Sequence, residues 1–169
     1  MHRAFVPFPD PRLRAIADPV PVVDDRVRAI WDEMLTAMYA MPGVGLAAPQ
    51  LGIPLRLAVL DCSDTRDQSV RLANPELLET SEVMRKGPEG SPNIPGYVEE
   101  VERPIRALVR YLDEYGVEKE REFSGLWSAS VQHQIDHLNG KVFLDRLPPL
   151  RRRRILEKIR KGAKKARRG

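Results

Sequence analysis

The sequence predicts an α+β protein in which one helix precedes a series of short extended runs and two further helices follow them. Three observations carry that expectation: an apolar stripe at helical spacing from Asp24 to Met41, period-two alternation between residues 105 and 123, and a return to helical spacing from Ser124 onward. In the first stripe Val27, Ile30, Trp31, Met34, Leu35 and Met38 recur at three- and four-residue steps. Asp24 stands where a helix N-cap belongs, and Pro42-Gly43 supplies the stop. Residues 53–61 read as a buried strand, followed by a polar loop through Ser69 and shorter extended runs near 70–73, 76–85 and 97–102. Ile105–Asp113 and Val117–Phe123 alternate around a turn at Glu114–Gly116, which is a hairpin signal. From Ser124 to Leu138, residues Leu126, Ser130, Val131, Ile135 and Leu138 favour one side of a helix, and Gly140 lies just beyond it as a C′ glycine would. The last segment, Pro148 to Ala166, gathers Ile155, Leu156 and Ile159 on one face and bases elsewhere, giving a basic amphipathic helix.

A chain of 169 residues is the size of one ordinary domain, and neither an internal repeat nor a low-complexity linker divides it. Charge does divide it, into a domain over residues 1–150 and a basic C-terminal helix or tail over residues 151–169. Between Arg151 and Arg168 stand eleven Lys or Arg and one acid, so the tail carries about +10 and leaves about −6 on the body. The sequence pI of 9.4 therefore describes the tail. A basic tail on an acidic body suits an anionic partner, nucleic acid being the commonest, against the alternative of a merely solvated helix. No stretch approaches the roughly 18 apolar residues of a membrane span. Prolines and an acid interrupt the N-terminus too early for a signal peptide, and the lone Cys62 cannot close an internal disulfide. These features predict a cytoplasmic protein with no membrane partner.

His133 and His137 stand four residues apart in Gln-His-Gln-Ile-Asp-His-Leu-Asn-Gly, so a helix places both imidazoles on one face where they can share a divalent metal. In metal hydrolases with such a pair, the residue after the first His is a Glu that acts as general base; here it is Gln134. Taken alone, a pair of this kind is more often structural than catalytic.

Three segments together say more. Gly43-Val44-Gly45-Leu46-Ala47-Ala48-Pro49-Gln50 resembles the first signature of peptide deformylases. Glu89-Gly90-Ser91-Pro92-Asn93-Ile94-Pro95-Gly96 is similar to their second, usually Glu-Gly-Cys-Leu-Ser-(Ile/Val)-Pro-Gly, and Gln132 through Gly140 is similar to their third, usually Gln-His-Glu-x-Asp-His-Leu-x-Gly. Phe143-Leu144-Asp145-Arg146-Leu147 and the basic helix after it fit the family's C-terminal region, so order and spacing agree over nearly the whole chain. The resemblance implies a peptide deformylase-like fold, with short mixed or antiparallel strands around a central histidine-bearing helix. It also implies hydrolytic removal of the N-terminal formyl group from formylmethionine of nascent polypeptides, assisted by one divalent metal (iron, zinc or nickel). Carried onto this chain, the metal ligands fall at His133, His137 and position 91, the general base at position 134, and the oxyanion donors at the Gln50 side chain and the backbone N–H of position 92. Gly43 and Gly45 fall where the backbone approaches an extended peptide. In the family the C-terminal helix can dock on the ribosome, which makes ribosome or RNA the implied partner of the tail.

Three of those places are changed. Ser91 offers a neutral hydroxyl where a thiolate belongs, which lowers metal affinity. Gln134 is nearly isosteric with Glu but cannot exchange a proton near neutral pH, and Pro92 has no backbone N–H to donate. Losing a general base costs roughly 10²–10⁴ in rate, and losing one oxyanion donor costs about 10²–10³. The sequence therefore predicts a degenerate member, inactive or strongly impaired, whose metal is held weakly or absent and which still binds a formyl-peptide or nascent chain. The alternatives are an active N-acyl or formyl-peptide hydrolase with an altered site, and a ribosome- or partner-binding module. Among the lesser features, Asn93 replaces the usual motif Ser, Cys62 reads as a structural or merely exposed thiol, His2 is expected to be irrelevant, and Glu89 and Asp136 read as partners of an arginine or of the histidines.

Overall fold

The structure, a computed structural model, describes residues 3–169, so His2 lies outside the described residues. Helix α1 spans Asp25–Ala40, capped by the Asp24 carboxylate, which accepts the Val27 N–H at 3.0 Å. All six residues of the predicted apolar stripe are buried, in one cluster with Leu46, Leu57 and Val59.

Strands β1 (Gly45–Ala47), β2 (Leu57–Leu60), β3 (Val70–Thr80), β6 (Arg106–Leu112) and β7 (Glu118–Ser124) form an antiparallel sheet in the order β1-β2-β3-β6-β7. Strands β4 (Met84–Glu89) and β5 (Glu99–Pro104) pair separately as a two-stranded antiparallel ribbon. The strand expected over 53–61 is shorter: Pro54 has no N–H for a ladder, and regular pairing starts only at Leu57. The runs expected at 70–73 and 76–85 are divided differently. A single long β3 passes through Asn74 and Pro75 with a register shift between Ala73 and Glu76, ends at Thr80, and β4 begins at Met84. The predicted hairpin joins β6 to β7, and the Asp113 carboxylate fixes its turn by accepting the N–H groups of Tyr115 and Val117, each at 2.9 Å. Edge strand β7 shows solvent a run of Glu, Lys and Arg, which discourages pairing with another chain.

Helix α2 (Leu126–Leu138) packs against β1, β2, β5 and β7, and its residues from Ser130 to Leu138 are all buried. It is the central element, and much of what it buries is polar. Helix α3 (Pro149–Arg168) packs its first half on the body: Ile155 is buried with Ile94, Val101, Phe143 and Leu147, while Leu156 and Ile159 are partly covered. After Arg160 the helix is fully exposed. Among the described residues, no helix is long and apolar enough to cross a membrane.

Gly140 ends α2 with φ +74°, and a Cβ there would stand 2.4 Å from the backbone oxygen of Arg14. Both the positive φ and the backbone contact exclude a side chain, so Gly140→Ala should destabilise the fold by about 2 kcal/mol or more. Equilibrium urea denaturation of the two proteins checks this.

Candidate active site

Strand β1 and the 3-10 turn Ala48–Leu51 carry the first motif, and α2 presses closely against it. A Cβ on Gly45 would lie 2.4 Å from Ser130 Oγ and 2.5 Å from Gln134 Nε2, so glycine is what lets strand and helix meet. At Gly43 a Cβ would meet only the flexible Met41 side chain. The Gly43 carbonyl instead accepts the Arg66 guanidinium, which also donates to Asp61 O at 2.6 Å and lies over the Tyr39 ring. Nothing in the motif pattern pointed to Arg66.

Gln50 is buried, and its Oε1 accepts the Ala47 N–H at 2.9 Å. Its Nε2 faces Asn93 Oδ1 at 2.8 Å and Ser91 Oγ at 3.3 Å. Asn93 in turn donates through Nδ2 to Val6 O at 2.6 Å and Gln50 O at 3.0 Å, so the N-terminal segment, the first motif and the second are tied at one residue. Pro92 stands between Ser91 and Asn93 and gives the cleft no backbone donor.

On α2, His133 and His137 converge until their Nε2 atoms are 3.2 Å apart. His133 Nδ1 meets Glu89 Oε1 at 2.8 Å, which leaves Nε2 to face His137. Glu89, at the end of β4, is gripped by Arg103 of β5 at 2.6 and 2.8 Å. Arg103 also donates to Asp136 at 3.0 Å, and Arg146 closes on the same carboxylate at 3.0 and 2.6 Å. Glu89 and Asp136 are thus partners of an arginine, and Glu89 of a histidine as well. Arg103 and Arg146, which complete the chain of ion pairs, were not singled out by sequence. Arg103 could have been found as a charge at an inward-facing position of an alternating strand.

Burial alone would push the Glu89 carboxyl up; the hydrogen bonds from His133 and Arg103 outweigh it and hold the group at about 2. Burial, with the neighbouring His133 and Arg103 charges, drives His137 well below its ordinary value and keeps it a neutral imidazole. Cys62 lies apart from the cleft, donates to Val44 O at 3.7 Å, and is pushed by burial up to about 11, so it stays a protonated structural thiol.

Gly43, Gly45, Gln50, Ser91, Pro92, His133 and Gln134 all line one cleft of about 700 Å³, with Val98, Val101, Leu126 and Ala129 supplying apolar wall. His137 lies beneath it against His133. Gln134 is buried, and its Oε1 has no hydrogen-bond partner. The histidine pair suits a divalent ion, because tetrahedral bonds of about 2.0–2.1 Å set neighbouring nitrogens roughly 3.3 Å apart. The third position does not. Ser91 is neutral, and its oxygen already accepts from Gln50 Nε2 and from the Asn93 N–H, at 3.3 Å each. No group of three His, Cys, Asp or Glu is placed to hold a metal among the described residues. The donor set present therefore does not fit a tightly held ion.

A carboxylate held at about 2 contributes stability that is full above its unfolded value near 4.5 and is lost as pH falls toward 2. The natural protein should lose denaturant resistance steeply between pH 5 and 3, and Glu89→Gln should be less stable at pH 7 yet flatter over that window. Urea midpoints for both proteins at pH 7, 5 and 3 check the slope.

A family model described as polypeptide deformylase matches residues 2–153. The peptide deformylase of Methylocella silvestris is 46% identical over 167 residues, covering 96% of this chain and 85% of that protein. The crystal structure of a peptide deformylase from Legionella pneumophila superposes with a TM-score of 0.88 at 36% identity, over 100% of this chain and 99% of that one. A peptide deformylase from Ehrlichia chaffeensis in complex with actinonin superposes with a TM-score of 0.87 at 34% identity, over 95% of this chain and 96% of that one. With one family's model spanning nearly all of the sequence and its structures matching from end to end, the chain belongs to the polypeptide deformylase family.

Proposed function

We propose that this chain is a cytoplasmic, peptide deformylase-like protein that binds N-formyl peptides or nascent chains and hydrolyses them weakly or not at all. The observation that supports this most is the cleft wall itself. A committed hydroxyl (Ser91), an imino acid (Pro92) and a carboxamide (Gln134) occupy the three places that would supply a ligand, an oxyanion donor and a base. Gln134 can orient a neighbouring group but cannot accept its proton. Pro92 leaves the Gln50 side chain as the sole remaining member of the oxyanion pair. His133 and His137 would hold iron, zinc or nickel weakly, with Ser91 adding little, and the apolar wall would take the methionine side chain without help from a metal. Gly43 and Gly45 line the cleft along which an extended peptide would lie, Gly45 by letting β1 meet α2.

Metal content and formyl-Met-Ala-Ser turnover, measured on the same anaerobic preparations with iron, nickel or zinc added, test the proposal against the revertant Ser91→Cys/Pro92→Leu/Gln134→Glu. The natural protein should carry little metal and turn over at least about 10²-fold more slowly than the revertant. Efficient turnover by the natural protein, with stoichiometric metal and loss of activity in His133→Ala, would overturn it and establish an altered-site hydrolase instead.

A second role rests on α3. Residues 151–169 would serve as a basic docking arm for the ribosome or its RNA, with Lys161, Lys164, Lys165, Arg167 and Arg168 all exposed beyond the packed half. Because Ile155 belongs to the core, the informative truncation is after Arg160, which spares it. Co-sedimentation with ribosomes should weaken as salt rises, and the truncated chain should bind less tightly with a shallower salt dependence. Equal pelleting by both proteins would refute the arm.

A further inference from the structure

We infer that Asn93 is a positioning residue that commits the Gln50 carboxamide and the Ser91 hydroxyl to one another, so that this wall of the cleft favours a neutral group at position 91. The inference rests on reading the cleft as hydrolytically impaired, and it identifies a fourth residue responsible for that state. The orientations of both carboxamides follow from their fixed partners. Ala47 offers an N–H, so the atom of Gln50 that meets it at 2.9 Å is Oε1, and Nε2 must face the cleft wall. Val6 and Gln50 offer carbonyl oxygens, so the atom of Asn93 that meets them at 2.6 and 3.0 Å is Nδ2. Oδ1 is therefore the Asn93 atom turned toward Gln50 and Ser91.

The Gln50 Nε2 protons then face Asn93 Oδ1 at 2.8 Å and Ser91 Oγ at 3.3 Å. Ser91 donates its own proton to Asn93 Oδ1 at 3.1 Å and accepts from the Asn93 N–H at 3.3 Å. Every donor in the unit has an acceptor, and Ser91 has no lone pair left over. Gln50 and Asn93 are 1% and 2% exposed, so the hydrogen bond between them is made out of reach of water, while Ser91 is half-buried at the cleft wall.

The consequence for position 91 is chemical. The Asn93 carbonyl oxygen accepts one proton from Gln50 Nε2 and a second from the Ser91 hydroxyl. A thiolate in the same place has no proton to give: it would keep the Gln50 and Asn93 N–H donors but set its negative charge directly against the Asn93 carbonyl oxygen. A hydroxyl at position 93 could instead turn its own proton toward the anion and release Gln50. Ser91 and Asn93 are thus a matched pair, and restoring a sulfur ligand beside Asn93 leaves the wall set against it.

A double-mutant cycle on the full chain tests this, with zinc affinity read by chelator competition for the natural protein, Ser91→Cys, Asn93→Ser and Ser91→Cys/Asn93→Ser. The gain in affinity from Ser91→Cys should be at least tenfold larger when residue 93 is Ser. Gains that agree within twofold in the two backgrounds overturn the pairing. Should Asn93→Ser fail to fold, side-chain amide NMR decides the matter. The Gln50 Nε2 protons should exchange slowly with water in the natural protein and remain ordered in Ser91→Ala, where Asn93 still holds them. Fast exchange in the natural protein overturns the inference. Turnover of formyl peptides by the natural protein would refute the impaired-cleft reading alone, because the cycle measures metal affinity and not activity.

Discussion

The buried guanidinium of Arg103 is the interaction on which the rest of the site depends. It joins β5, which carries it, to the Glu89 carboxylate on β4 and the Asp136 carboxylate on α2, with Arg146 closing the chain from the far side. Arg103, Glu89 and Asp136 meet away from water, and the half-exposed Arg146 supplies the second cation that balances the two acids; removing any of the three buried members would leave a buried charge unmatched. Through Glu89 the same cluster sets the ring orientation of His133, and β4 continues directly into the loop that holds Ser91, Pro92 and Asn93. The two-stranded ribbon, which forms no part of the main sheet, is therefore locked to the central helix by charge.

The second constraint is the close approach of β1 to α2. Gly45 lets the first motif touch the helix at Ser130 and Gln134, and the histidines lie one turn or less away on that helix. Acting together, the Gly45 contact and the Arg103 cluster fix three sequence-distant segments around one cleft. The second tie, through Asn93 to Val6 and Gln50, joins the second motif to the N-terminal segment and to the first motif.

Much of this was legible in the sequence. The stripe on α1, the β6–β7 hairpin and the histidine helix each declared themselves through periodicity, because each packs one face and shows the other, or is flanked by unambiguous stop residues. Strand β1 was not legible, since three residues beginning with glycine carry no alternation. Strand β3 was broken in expectation at Asn74-Pro75, because local preference opposes a strand there while pairing with β6 overrides it through a register shift. The seven cleft-lining positions and the underlying His137 came from motif resemblance, and they do meet in space. What the sequence could not supply was which arginines do the pairing. Arg66 and Arg146 look like surface residues until their long side chains are seen to end on Gly43 and Asp136, whereas Arg103 was marked only by its inward place on an alternating strand.

The substitutions in the cleft also have a direction. A carboxylate at position 134 would be a further buried acid on the helix that already carries Asp136, beside a cleft that Glu89 also lines. The two arginines of the cluster are already spent on those two acids. A carboxamide of nearly the same shape removes that desolvation penalty and leaves one unpartnered neutral oxygen in its place. Likewise a hydroxyl at position 91 enters the Asn93–Gln50 unit as a full member, where a thiolate would face a carbonyl oxygen. Groups suited to catalysis are often poorly suited to burial, and their neutral replacements relieve that strain at the expense of chemistry. The cluster around Arg103 and the Gly45 contact hold the cleft together without using the side chains of positions 91 and 134 for charge, so the fold does not depend on an acid or a sulfur at either place.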